Sequence, residues 1–280
     1  MPQAITRFIL IWRMDQALIS REAGYWDTIA TNWREEMPHS LWRAQSDAIN
    51  IALLERWLPP GRFSRVLKTD LFDEFVSEGL YSFLASRTGR VVGMDVSMTA
   101  IRAASSRCAR LQAAGADARF LPFVDGAFDV IVSNSTLDHF ETPDEIIASL
   151  RELKRVLQIG GHLIITLDNL ANPIIALRNA LPFGVLHRFG IVPYYVGPTF
   201  GIGRLKSALE ELQFEVIEVT SAVHFPRVLA VALAKILEKY APARYHGIFL
   251  RFLTAFEHLA KLPTKFLTGH FVAAMAVKRS

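Results

Sequence analysis

Apolar and polar residues follow two rhythms along this chain, and the rhythms succeed one another in a regular order. Phe128–Val132 (FDVIV) and His162–Leu167 (HLIITL) are short runs apolar on both faces, the pattern of strands buried inside a parallel sheet. Between them Ile146, Ile147, Leu150, Leu153, Val156 and Leu157 recur at helical spacing. That helix has a full start signal in Thr142-Pro143-Asp144-Glu145, with Thr as N-cap, Pro at the first helical position and Glu at the third. Gly160-Gly161 stops it. Upstream, the same reading predicts strands over Ser64–Leu67, Val91–Met94 and Ala118–Phe120, with helices over Phe72–Ser86 and Met98–Ala113. Downstream it predicts a loop with short helices over Asn172–Thr199 and a helix over Arg204–Leu212. A strictly alternating strand over Phe214–Thr220 (FEVIEVT), two amphipathic helices within Phe225–Leu262, and a last strand over Phe271–Val277 follow.

Strand and helix signals that alternate in this way argue for an α/β doubly wound sheet. The expected organisation has three parts: N-terminal helices over 1–60, closed by Pro59-Pro60-Gly61; the βα core over 61–170; and a C-terminal part over 171–280. That last part completes the sheet and carries a helical cap between its two strands. A chain of 280 residues can bury such a core without staples. Its one cysteine, Cys108, excludes an intrachain disulfide framework and a cysteine-only metal site, and fits a reducing cytoplasm. The eight histidines show no ligand spacing, so no metal site is expected.

Composition changes the picture in two ways. The chain is 51% hydrophobic with positive mean hydropathy, yet no uncharged apolar run is long enough to span a bilayer. The apolar stretch Ile5–Ile19 carries Arg7, Arg13 and Asp15 and lacks a small-residue cleavage site, so it reads as an amphipathic helix rather than a signal peptide. Such a helix packs on the core or lies on a membrane surface. Charge is uneven: from Ala171 onward 13 basic residues face 6 acidic ones. A basic, apolar C-terminal part suits anionic partners such as phospholipid headgroups, and equally an ordinary solvated basic face.

The block from Ala116 to Asn169, ADARFLPFVDGAFDVIVSNSTLDHFETPDEIIASLRELKRVLQIGGHLIITLDN, resembles the class I S-adenosylmethionine (SAM)-dependent methyltransferases. The group containing the quinone-biosynthesis and other small-molecule methyltransferases is the most similar. Val91–Ser97 (VVGMDVS) is similar to that family's second motif, and the resemblance covers Ser64–Asp168 well and Arg204–Lys278 loosely. It implies a Rossmann-like sheet of seven strands, mostly parallel with the last antiparallel, and SAM as cofactor. It also assigns residues. Asp95, ending a strand, would accept the ribose hydroxyls, or cap the helix that begins near Met98. Asp117 with the Ala118 backbone would hold the adenine amino group, or be a solvated turn carboxylate, and Val96 would pack on the adenine face or in plain core. Ser133 and Asn134 would lie near the sulfonium and the acceptor, where ligands bind in open α/β sheets. Asp138 and His139 are the candidates for catalysis, His139 as a proton acceptor or as a shaper of the acceptor site.

One segment departs from the family. Where a strand should end in an acid followed by a glycine-rich turn, the chain reads Val66-Leu67-Lys68-Thr69-Asp70-Leu71-Phe72-Asp73-Glu74, with no glycine until Gly79. In one reading this Lys68–Glu74 loop, Thr69 included, still holds the cofactor. Asp70, Asp73 or Glu74 would then meet its ammonium and Lys68 its carboxylate. In the other, SAM binding is lost and the domain is a catalytically inactive protein that binds a lipid or a protein partner. The N-terminal helices, with Tyr25, Trp26 and Trp33, commonly cover the active site in this family, and together with the aromatic Phe225–Leu262 segment they suit an apolar or lipid-like small-molecule acceptor. A nicotinamide-linked oxidoreductase is argued against by the missing G-x-G-x-x-G and Tyr-x-x-x-Lys patterns, and nucleic-acid methylation by Asn134-Ser135-Thr136-Leu137. The resulting expectation is a cytoplasmic methyltransferase, peripheral at a membrane surface, with a small-molecule partner and no nucleic acid.

Overall fold

Leu67, Ile131 and Ile165 turn to one side of the sheet and Val66, Val130, Val132 and Ile164 to the other, and both sides are buried. Period-two alternation with two covered faces is what a central α/β sheet requires. The computed structural model describes residues 16–36 and 40–280. The seven strands are β1 (Val66–Lys68), β2 (Val91–Asp95), β3 (Gln112–Gly115), β4 (Phe128–Asn134), β5 (Leu157–Asp168), β6 (Phe214–Ala222) and β7 (Phe271–Lys278). They lie in the order β3-β2-β1-β4-β5-β7-β6, with β7 antiparallel to both its neighbours and the remaining pairs parallel. The expected seven-stranded doubly wound sheet is present, with FDVIV beside HLIIT.

Twelve helices are described: α1 (Gln16–Glu36), α2 (Ser40–Trp57), α3 (Phe72–Val76), α4 (Tyr81–Arg87), α5 (Met98–Arg107), α6 (Pro143–Val156), α7 (Pro173–Ala180), α8 (Phe183–Arg188), α9 (Ile202–Glu211), α10 (Arg227–Tyr240), α11 (Arg244–Ala255) and α12 (Lys265–Thr268). Helices α6 and α9 bury Ile146, Leu150, Leu153, Leu205 and Leu209 on one face of the sheet. On the other face α2 and α4 bury Leu54, Trp57 and Leu84. The far end of α2 buries Leu41, Trp42 and Ile49 against Ala230, Ala234, Phe249 and Leu253 of α10 and α11. Thus α2 ties the sheet to the C-terminal helices. The capping carboxylate expected at the start of α6 is in place: Glu145 Oε2 accepts the Thr142 backbone N–H at 2.8 Å.

Four expectations need correction. Gly160-Gly161 does not stop α6, which ends at Val156; both glycines lie inside β5. Phe72–Ser86 is not one helix, because Gly79 adopts φ +53° and separates α3 from α4. A Cβ there would lie 2.6 Å from Glu74 Oε1, so the glycine clears space for Glu74 to turn back and accept the Leu80 N–H at 3.0 Å. The helix from Met98 ends at Arg107, and Gln112–Gly115, of which Gln112 and Ala113 were expected as its tail, is the third strand. Alanine favours helix, but four residues pairing in parallel with Val92–Asp95 override that weak preference. Residues 118–120, expected as that strand, form a turn instead, in which Phe120 N–H donates to the Asp117 carbonyl at 3.0 Å. The amphipathic stretch Ile5–Ile19 lies outside the described residues except for its last four.

Candidate functional site

The strand order reverses between β1 and β4, and there the C-terminal strand ends leave a crevice, the usual ligand position of open α/β sheets. A cavity of about 940 Å³ lies over it. Thr69, Asp70, Asp95, Asp117 and Asn134 line its floor at the ends of β1 to β4; α1, α7 and α10 with the loop at 190–196 line its roof. Val96 and Ala118 line the same end as Asp95 and Asp117.

Asp95 points from the end of β2 toward the β1 loop. Its Oδ1 accepts the Ser97 N–H at 2.8 Å and its Oδ2 the Leu71 N–H at 2.9 Å. Burial pushes its carboxyl up to about 6 despite those two bonds, and each oxygen keeps a lone pair for a further donor. Asp117 is buried and tied to Arg119, whose Nε lies 3.0 Å from its Oδ1. Arg119 also pairs with Glu22 of α1 at 2.5 Å and with Glu145 of α6. One guanidinium thereby fastens α1 and α6 to the Asp117 turn. This organiser carries no spacing signature and was missed by sequence reasoning; only its adjacency to Asp117 hints at it.

The glycine-free loop has its own internal logic. Lys68 is 1% exposed, and its Nζ sits 2.9 Å from Glu74 Oε2 and 3.0 Å from the Asp70 carbonyl. Burial disfavours the ammonium, but Asp70 and Glu74 outweigh it and hold its pKa above the ordinary lysine value. Lys68 and Glu74 therefore pair behind the cavity wall, whereas Thr69, Asp70 and Asp73 line it. Gly93 in β2 admits the loop: a Cβ there would collide with the Leu71 side chain. Across from Asp73, Arg43 of α2 forms an ion pair with it and lies 3.7 Å from Asp47. Arg43 lines the cavity, and its Nε has no hydrogen-bond partner among the described residues.

At the end of β4, Ser133 is buried and accepts a bond from Thr69 Oγ1 at 3.0 Å, off the cavity. Asn134 lines the cavity, and its Nδ2 is buried with no hydrogen-bond partner among the described residues. Ser135 follows with φ 47°, uncommon for a residue with a side chain and frequent at functional turns. Its Oγ donates to Asp138 at 3.0 Å, and Asp138 Oδ2 also accepts the Asp168 N–H at 3.0 Å. Asp138 is fully buried behind the wall, where burial and the Asp168 charge raise its pKa.

His139 does face the cavity. Its Nδ1 lies 3.0 Å from the Tyr195 carbonyl, which can only accept, so Nδ1 carries the proton and Nε2 the lone pair. Tyr25 Oη accepts the Tyr195 N–H at 2.7 Å, so Tyr25 fixes the segment that orients His139. Gly197 completes this crossing, donating its N–H to the Asp138 carbonyl at 2.8 Å where a Cβ would strike Phe140. Trp26 meets His139 edge-on at 5.0 Å, and Tyr194 lies 5.5 Å from His139, 5.9 Å from Trp26 and 6.0 Å from Trp33. The predicted Tyr25, Trp26, Trp33 and His139 thus meet in one aromatic chamber. Tyr194, Arg178, Arg227 and His270, which complete it, were not predicted. They come from segments far apart in the chain, and no local pattern announces their convergence.

A family described as methyltransferase domain matches residues 76–165. Phosphoethanolamine N-methyltransferase 2 of Haemonchus contortus, solved with S-adenosyl-L-methionine, is 19% identical over 82% of this chain with a TM-score of 0.54; the chain spans 52% of that protein. A possible histamine N-methyltransferase of Thermotoga maritima is 13% identical over 91% of this chain and 99% of its own, with a TM-score of 0.58. The [4+2]-cyclase SpnF is 19% identical over 83% of this chain and 80% of its own, with a TM-score of 0.53. At such identities the likeness is one of fold. No curated protein matches the chain.

Proposed function

We propose that this chain is a class I SAM-dependent methyltransferase that transfers a methyl group from SAM to an apolar, lipid-like small molecule. The observation that carries the reading is one continuous cavity joining Asp95 and Asp117 to an aromatic chamber around His139. The site fits the cofactor. Asp95 has free lone pairs for a ribose, Asp117 and Ala118 border the same end of the cavity with Val96, and Asn134 Nδ2 is a donor without a partner among the described residues, beside the β4 tip. Asp70 supplies negative charge for an ammonium. For the methionine carboxylate, the open Nε of Arg43 is the better partner than Lys68, which Glu74 keeps behind the wall.

Bound SAM supplies an electrophilic methyl group on its sulfonium. The chain's own residues do the rest. His139 Nε2 takes the proton released by the acceptor, with the tautomer fixed by the Tyr195 carbonyl. Trp26, Trp33 and Tyr194 exclude water and present ring faces to the acceptor. Asp138 keeps the Ser135–His139 turn in shape and acts as a positioning residue.

The division into 1–60, 61–170 and 171–280 belongs to the same proposal, with the two flanking parts as covers. So does the location, in the cytoplasm at an anionic membrane surface. Ile174, Ile191, Val228 and Leu229 are exposed and also line the cavity, so its entrance has a greasy rim. From Ala171 to Leu209 there is no Asp or Glu, while Arg178, Arg188, Arg204 and Lys206 are present. Among the described residues no helix is long and apolar enough to cross a membrane. The test is incubation with methyl-labelled SAM and a total lipid extract. Label in the organic phase, absent with Asp95→Ala, is expected; label confined to water-soluble acceptors would remove the lipid-like part of the reading.

A further inference from the structure

Arg227, the first residue of α10, sends its guanidinium into the cavity beside the aromatic chamber. A guanidinium offers five N–H donors and cannot shed its charge. Here the described residues give it a single bond, from Nη2 to Tyr194 Oη at 3.1 Å, and no carboxylate within ion-pair distance. The nearby acid is already engaged: Asp168 holds Arg178 at 2.6 Å and His270 at 3.3 Å. Burial alone would raise the Asp168 pKa, but His270 and Arg178 outweigh it and hold the carboxyl ionised, while burial lowers the His270 pKa. Asp168 and Asp138 act on the Arg227 guanidinium at longer range and favour its charged form, but neither pairs with it directly.

The position makes the imbalance sharper. A cation at a helix start opposes the helix dipole, and the first turn of α10 contains no acid to offset it. Val223, a β-branched residue at φ 61°, lines the cavity in the turn before α10, with Glu257 accepting its N–H at 3.1 Å. The chain holds a strained turn four residues before Arg227, and the half-buried guanidinium faces the cavity with most of its N–H donors uncommitted among the described residues. The sheet order places this corner beyond β4 and β5, on the opposite side of β1 from Asp95 and Asp117.

We propose that Arg227, with Tyr194 Oη, is the seat of an oxyanion carried by the methyl acceptor, a phosphate or carboxylate attached to its apolar body. The proposal rests on the methyltransferase reading and names the acceptor class for that site. The anion lies one tyrosine side chain away from His139, so the acceptor spans the chamber with its reacting atom at His139 and its charge at Arg227.

The test is calorimetric binding of octyl phosphate, octanoate, 1-octanol and inorganic phosphate to the full chain, with and without saturating S-adenosylhomocysteine (SAH). The two charged amphiphiles should bind at least about tenfold more tightly than octanol, as a charge-assisted pair implies. Arg227→Gln should abolish that preference and leave SAH affinity and the ligand-free melting temperature unchanged, since the half-buried guanidinium makes one hydrogen bond and no ion pair among the described residues. Equal affinity for octanol, or a preference that survives in Arg227→Gln, would overturn the proposal. Inorganic phosphate binding as tightly as octyl phosphate would also overturn it, by making the site one for a free ion. A fall in SAH affinity in Arg227→Gln would give the guanidinium to the cofactor instead. If SAH fails to bind the wild type while the amphiphile preference holds, the methyltransferase reading fails and the anion site stands.

Discussion

Replacing Lys68 with methionine tests how this protein does without a glycine-rich first loop. Methionine keeps the length of the side chain and removes the charge. The lysine Nζ lies 2.9 Å from Glu74 Oε2 and 3.4 Å from the carboxylates of Asp70 and Asp73, and both Lys68 and Glu74 are 1% exposed. In Lys68→Met the Glu74 carboxylate would keep the Leu80 N–H and lose its countercharge. Removing one partner of a buried pair costs about 3–5 kcal/mol. For a chain of this size each kcal/mol moves the midpoint by about 2–3 °C, so Tm should fall by about 6–15 °C.

Reversible unfolding at pH 7 of the wild type, Lys68→Met, Glu74→Gln and the double variant gives the coupling directly. The double variant should recover more than half of the single variants' summed loss. The sign of the pH response is fixed as well. An uncompensated Glu74 has a folded-state pKa above its unfolded value, so the folded state binds more protons. The deficit of Lys68→Met should then shrink as pH falls from 7 to 5. A loss under about 1 kcal/mol, or additive single effects, would refute the buried pair.

Three further outcomes are expected. Arg119→Met should destabilise by more than about 3 kcal/mol, since it leaves the buried Asp117 uncompensated, and should free α1 by removing the Glu22 contact; proteolysis that begins in α1 would show this. Because burial raises the Asp95 carboxyl to about 6 and the charged form is the better acceptor for ribose hydroxyls, SAH affinity should be flat above pH 7 and weaken as pH falls through 6, read by titration at several pH values. His139→Gln should leave SAH affinity unchanged and lower methyl transfer by about 10²–10⁴-fold, read by single-turnover transfer from labelled SAM.

Much of the fold was legible because its central strands and α6 are locally consistent. FDVIV and HLIITL are apolar on both faces, and Thr142-Pro143-Asp144-Glu145 starts a helix whose apolar spacing matches the face it buries. The third strand was not legible. Gln112-Ala113-Ala114-Gly115 has no strand preference of its own and is a strand only because β2 lies beside it. The break at Gly79 was hidden for a related reason, since it depends on where Glu74 must reach. Among the site residues, Asp95, Asn134 and His139 stand at or after strand ends and could be read from the succession of motifs, while Asp117 came from the family resemblance alone, since its strand was expected after it and lies before it. Arg43, Arg119, Tyr194 and Arg227 could not, because each acts by meeting a residue from another segment. The charges of Lys68–Glu74 were visible but their pairing was not: the acid nearest in space to Lys68 Nζ is Glu74, six residues on and inside α3.

The most direct test of the account is calorimetric binding of SAM and SAH to the purified protein, repeated with Asp95→Ala. Micromolar binding of both ligands, lost in Asp95→Ala, is the predicted result, and would establish a cofactor site built on Asp95 without the glycine-rich turn. Absence of binding by the wild type, or affinity unchanged in Asp95→Ala, would contradict it.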